Sequence, residues 1–152
     1  EVRRARAIAD YQFGPEASDA LFQGDIELVA SKRTRRLRTV VADGAHVLSL
    51  RASDGLYTLK WAGGARLHRA LPSPRLRVVV ETETAPFNRE GRSVFAKFVT
   101  EADPDLRPGE EAIVVDQEDE LVAVGRTLLN REEMLAFAVG PAVKVREGSD
   151  QV

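Results

Sequence analysis

In GRSVFAKFV, residues 91–99, a glycine and an arginine lead into an apolar run with one lysine, Lys97, at its centre. A long cation there serves one of two ends. It snorkels from the mouth of a small barrel to water, or it stands beside a groove where an anion such as a phosphate lies. Further along, AVKVR alternates Lys144 and Arg146 with Val143 and Val145, so both cations leave an apolar face together. LVAVGR ends on Gly125 and Arg126. Lys97, Arg126 and Lys144 meeting on one side would make a phosphate-tracking groove; each scattered on an outer face would only solvate it. The densest basic run is SKRTRRLR, with Lys32, Arg33, Arg35, Arg36 and Arg38. It reads as a second phosphate contact or as a solubilising hairpin tip.

Other chemistries find little support. The chain has no cysteine, which removes disulfides, thiol nucleophiles and Cys-ligated zinc. Its two histidines, His46 and His68, read as structural or exposed. Ser53 has no histidine in a triad context, and Asp54 beside Gly55 is a turn residue. GRSVF lacks the Gly-Lys-Ser/Thr element of a phosphate-binding loop. Phe87, Trp61 and Tyr57 are assigned to the core, because so few aromatics are available for a base-stacking platform. The sequence therefore offers no catalytic residue, no metal site and no cofactor.

Net charge is −2, but the halves differ: residues 1–74 carry 12 Lys+Arg against 8 Asp+Glu, and residues 75–152 carry 10 against 16. Non-specific nucleic-acid binding by overall charge is excluded, so any anion site is a local patch. No apolar run is long enough to span a bilayer and no signal-peptide pattern is present. The chain begins with Glu1 rather than methionine, which reads as a trimmed start or a segment of something longer. A reducing, cytoplasmic location is the default expectation.

The elements that must position these residues fall into two sets. EVRRARAIADYQF has helical apolar spacing and stops at Gly14-Pro15; PEASDALF predicts a second short helix. DIELVAS, RLRTVVA, AHVLSLR and LYTLKWA predict four strands of an antiparallel meander, with Asp43-Gly44 as a hairpin turn and Gly63-Gly64 ending the fourth. LPSPR, residues 71–75, is the boundary between domains 1–74 and 75–152. After it, LRVVVET, SVFAKFV, AIVVD, LVAVGR and AVKVR predict strands, APFNREG a helical turn, and NREEMLAFAVGP a helix capped by Asn130 and ended by Gly140-Pro141. The fold class is α+β, mostly β: helices with a meander, then a compact, partly closed barrel.

The second half, from GRSVFAKFV through RPGEE, LVAVGR and EEMLAFAVGPAVKVREG, resembles a PUA domain, the module named for pseudouridine synthases and archaeosine transglycosylases. RARAIADYQFG, RTRRLRTVVADG and LRASDGLYTLKWAGGARL resemble the domain that precedes PUA in archaeal tRNA-guanine transglycosylases. The catalytic barrel and cysteine-rich zinc site of those enzymes have no counterpart here. The resemblance implies a PUA pseudo-barrel and RNA binding through double-stranded stem and 3′-end contacts. On matching positions it implies Arg89, Gly91, Arg92, Lys97, Gly125, Arg126, Lys144 and Arg146 as RNA contacts. The expected function is non-catalytic binding of structured RNA, tRNA favoured. The alternatives are an accessory subunit of a split transglycosylase-like enzyme, partnered by a separately encoded catalytic subunit, and a protein or small-ligand interaction module.

Overall fold

The computed structural model describes residues 1–152, which divide into two compact units, Glu1–Ala70 and Leu71–Val152.

The first unit begins with α1 (Val2–Phe13), which buries Ala5, Ala9 and Phe13 along one stripe and ends at Gly14, φ 101°. The Asp10 carboxylate accepts from the amide and hydroxyl of Ser18 at 2.8 and 2.9 Å, fixing α2 (Ala17–Leu21) against α1. Four strands follow as a meander in the order β1-β2-β3-β4: Ile26–Ala30, Leu37–Ala42, Ala45–Leu50 and Tyr57–Leu59. Asp43 and Gly44 both have positive φ, 50° and 81°, the conformation a two-residue hairpin turn requires. β4 is tied to α1 by Gln12, which bonds the backbone N–H and C=O of Tyr57 at 2.7 and 2.8 Å, and by the Tyr57 hydroxyl, which donates to the Ala5 carbonyl at 2.9 Å.

Here the sequence reading fails in one place. Gly63 and Gly64 do not end a strand; they lie buried inside α3 (Trp61–Ala70). A Cβ on Gly63 would collide with the Val47 carbonyl oxygen, so the helix rests directly on the backbone of β3. Close packing outweighs the roughly 1 kcal/mol that glycine costs in a helix.

The second unit is a six-stranded sheet in the order β6-β10-β9-β8-β5-β7. Its strands are β5 (Arg77–Val80), β6 (Val94–Phe95), β7 (Val99–Ala102), β8 (Glu111–Val115), β9 (Leu121–Thr127) and β10 (Pro141–Gly148). All neighbours are antiparallel except β5 with β8. Val78, Val80, Ile113, Val114, Val122, Val124 and Val143 form a dry core. The buried Arg77 is paired with Asp119 at 2.8 Å, on the acidic turn between β8 and β9.

SVFAKFV is not one strand. It is β6, a 3-10 turn over Ala96–Phe98, and β7, and these two strands are the opposite edges of the sheet. Three residues thus join the two edges and curl the sheet toward closure, leaving little exposed edge. Both faces of the run looked apolar because the turn changes the side to which successive residues point. α4 (Ala85–Arg89) precedes β6. α5 (Arg131–Ala136) carries the expected capping box, with Asn130 and Glu133 exchanging 2.9 Å bonds, but it stops well short of Gly140. At its first residue, Arg131 pairs with Glu101 at 2.6 Å; this bond, then the Ala102 amide, hold the Glu101 carboxyl below its ordinary range, and the same bond holds the guanidinium above its own.

Candidate nucleic-acid interface

Lys97 sits on the 3-10 turn that joins the edges of the sheet, exposed, with its ammonium 5.0 Å from the centre of the Phe98 ring. With Phe95, Phe98, Ala138, Val139 and Gly140 it lines a surface cavity. A second cavity shares the Phe95–Phe98 wall and continues to Phe87, Asn88 and Arg92. The Arg92 guanidinium lies 5.9 Å from the Phe87 ring centre, so each cavity pairs a cation with an aromatic face. Phe87 was expected in the core, but it is 54% exposed; Phe95, which sequence reasoning passed over, is 48% exposed. Tyr57 is fully buried, as expected, and burial pushes its phenol up to about 12.

Arg126 and Lys144 are brought together. The β9–β10 register sets them directly opposite one another, hence on one face of the sheet. Both are exposed, and the Lys144 ammonium has no partner. Arg126 donates from Nε to the Gly109 carbonyl at 2.7 Å, which steadies the guanidinium. The carboxylate nearest in register, Glu111 on β8, is fully buried and accepts from both terminal nitrogens of Arg146, at 2.6 and 2.9 Å. Glu111 is therefore engaged elsewhere, and the Arg126–Lys144 pair keeps its charge.

The remaining expected contacts have work within the fold. Arg89 donates to the Leu121 carbonyl at 3.2 Å and the Ser149 hydroxyl at 3.0 Å, and lies 3.7 Å from Asp116. Gly125 faces the bulge in β10, where a Cβ would collide with the Lys144 carbonyl. Gly91, φ 101°, has the Gln151 side-chain amide where its Cβ would be. Asp116, Glu118 and Glu120 bring carboxylate oxygens within 4.8 Å of one another, and Asp116 accepts the amides of Glu118 and Glu120 at 2.9 and 3.0 Å, the bonding of a tight turn. His46 lies on β3 with Nε2 2.8 Å from the Ser49 hydroxyl, and His68 lies within α3.

In the first unit Lys32, Arg33, Arg35, Arg36 and Arg38 are all exposed, at or beside the turn joining β1 and β2, and none of their side chains has a partner. The turn itself is ordered by its backbone: the Arg35 amide donates to the Ser31 carbonyl at 2.7 Å and the Ser31 amide to the Arg36 carbonyl at 2.8 Å. Five cations are thus held on a short, fixed scaffold.

Residues 3–74 match the family described as patch-forming domain C2 of tRNA-guanine transglycosylase, and residues 76–148 match the PUA domain. Among curated relatives, the tRNA-guanine(15) transglycosylase of Thermococcus kodakarensis is 49% identical over 95% of this chain, and that of Thermococcus onnurineus 47% identical over 99%. The chain spans only about a quarter of their length, 25% and 26%. The fold is similar to that of a hypothetical protein of Pyrococcus horikoshii OT3, with TM-score 0.75, 21% identity and coverage of 97% and 89% of the two chains. It is similar too to a conserved PUA domain protein of Thermoplasma acidophilum, with TM-score 0.65, 20% identity and coverage of 97% and 90%. The chain belongs to the PUA-domain family over its second unit, preceded by a domain of the transglycosylase C2 family.

Proposed function

We propose that this chain is a non-catalytic RNA-binding protein acting in RNA modification, with tRNA as the favoured ligand, and that residues 75–152 carry the principal contact while residues 1–74 supply a second. The carrying observation is the Arg126–Lys144 pair. Like charges directly opposite on neighbouring strands cost stability, and here the one carboxylate in register is engaged by Arg146. A phosphate is the ligand that would repay that cost. Arg92 and Lys97, exposed beside aromatic faces, extend the contact, and the cations at 32–38 form the second patch. The curated relatives, named as tRNA-guanine(15) transglycosylases, support a tRNA ligand. Contacts to phosphate and ribose favour reading of shape over base sequence. No helix is long and apolar enough to cross a membrane, and the cytoplasm is the proposed site of action.

The test is binding of a transcribed tRNA across a salt series, beside the Lys97→Glu, Lys144→Glu double variant. The wild type is expected to bind with a clear salt slope, and the folded variant to lose most of its affinity. Equal, weak binding of both proteins to tRNA and to a generic polyanion would sink the reading.

A second reading is contact with a separately encoded catalytic subunit. Leu135 to Val139, Leu-Ala-Phe-Ala-Val, are five successive exposed apolar residues, a composition suited to a protein surface. Co-purification with a catalytic barrel, lost in Phe137→Ser, would favour it.

A further inference from the structure

We propose that Arg107 is a third phosphate-binding residue, completing a row of cations with Arg126 and Lys144 that one sugar–phosphate strand of the RNA follows across the sheet. This rests on the RNA-binding reading above. Arg107 lies in the turn DPDLRPGEE before β8, and nothing in its own sequence context distinguishes it from any turn arginine.

The turn is stitched to the end of β9. The Gly109 amide donates to the Thr127 carbonyl at 2.7 Å, and the Thr127 amide returns a bond to the Glu110 carbonyl at 2.8 Å. The Thr127 hydroxyl is 2.7 Å from the Arg107 carbonyl, to which it donates, and Arg126 Nε bonds Gly109. Arg107 is thereby anchored beside Thr127, the residue next to Arg126. Its side chain is exposed and has no partner. The turn carries two exposed carboxylates, Asp105 and Glu110; Glu110 Oε1 accepts the Arg107 amide at 2.7 Å, which fixes the backbone.

Chemistry favours this arrangement over a solvated turn. Lys144 and Arg126 occupy neighbouring strands, about 4.8 Å apart in the pairing direction. The turn carrying Arg107 lies on the far side of Arg126 from Lys144. The row therefore runs across the strands, and a backbone crossing them would meet the three cations in succession. Arg126, held from Nε, still presents its terminal nitrogens. Arg107, unheld, can adjust to a phosphate bidentately.

The experiment is the salt dependence of tRNA binding for wild type, Arg107→Ala, Arg107→Lys, Lys144→Ala and the Arg107→Ala, Lys144→Ala double variant. Each lost phosphate contact lowers the slope of log affinity against log salt by about 0.9 on a duplex. Arg107→Ala and Lys144→Ala are each expected to show that drop, the double variant about twice it, and Arg107→Lys little or none. A wild-type slope in Arg107→Ala alongside a reduced slope in Lys144→Ala overturns the role of Arg107 and leaves RNA binding intact. Absence of salt-dependent tRNA binding by the wild type overturns both.

Discussion

Lys144 and Arg126 face each other across adjacent antiparallel strands, two cations in the position where most sheets place opposite charges or apolar partners. Relieving the repulsion should help the fold. Lys144→Ala is expected to match or exceed wild-type stability, by up to about 0.5 kcal/mol in urea denaturation, while weakening RNA binding. A destabilised Lys144→Ala would show that the lysine serves packing instead.

Arg146 was expected on the RNA side, and its bonds to Glu111 assign it an internal task as well. Arg146→Ala removes the two charge-assisted bonds that a fully buried carboxylate accepts from the guanidinium. The expected loss is about 3 kcal/mol, against a much smaller loss when Glu111→Gln accompanies it. Denaturation of the single and double variants decides; equal losses in both would mean the pair is not coupled.

Gly91 and Gln151 make a matched set. Gly91→Ala forces a Cβ into the Gln151 amide and holds alanine at φ 101°. A loss of roughly 1–3 kcal/mol is expected. Gln151→Ala removes the collision but not the backbone strain, so it should restore only part of the loss. Full restoration would show that the conformation of Gly91 carries no cost.

Tyr57 sets an alkaline limit on the first unit. Burial raises its phenol from 10.0 to about 12, so the folded state favours the neutral form. The stability this gives is complete below pH 10 and disappears as pH rises toward 12. Tyr57→Phe should cost about 1 kcal/mol at neutral pH through the lost bond to the Ala5 carbonyl, and its stability should fall less steeply between pH 10 and 12. Parallel curves for the two proteins over that range would refute the assignment.

Local signals reached much of this architecture. Asp43-Gly44 and the Asn130 box each specify their geometry within four residues, so the hairpin and the start of α5 were legible. What failed depended on distant partners. Gly63 reads as a breaker until the Val47 carbonyl is set against it, and SVFAKFV reads as one strand until its halves pair with β10 and β5. The site divided the same way. Alternation placed Lys144 and Arg146 on one face, but the register that sets Glu111 on that face within reach of Arg146 and the turn that brings Arg107 beside β9 are products of strand pairing. Phe87 was missed because composition alone assigns an aromatic to the core.

The sheet order has a consequence for the sequence of folding events. β6 finds its partner only in β10, a strand distant in the chain, and β10 in turn must slot between β6 and β9. Pairings of such long range form late and slowly. The segment bearing Phe95 and Lys97 thus cannot be in its final place until residues 141–148 have left the ribosome and docked. A nascent or truncated chain would present its basic turn at 32–38 but no finished barrel. Assembly of the proposed RNA surface would then itself report that the second unit has been made through β10.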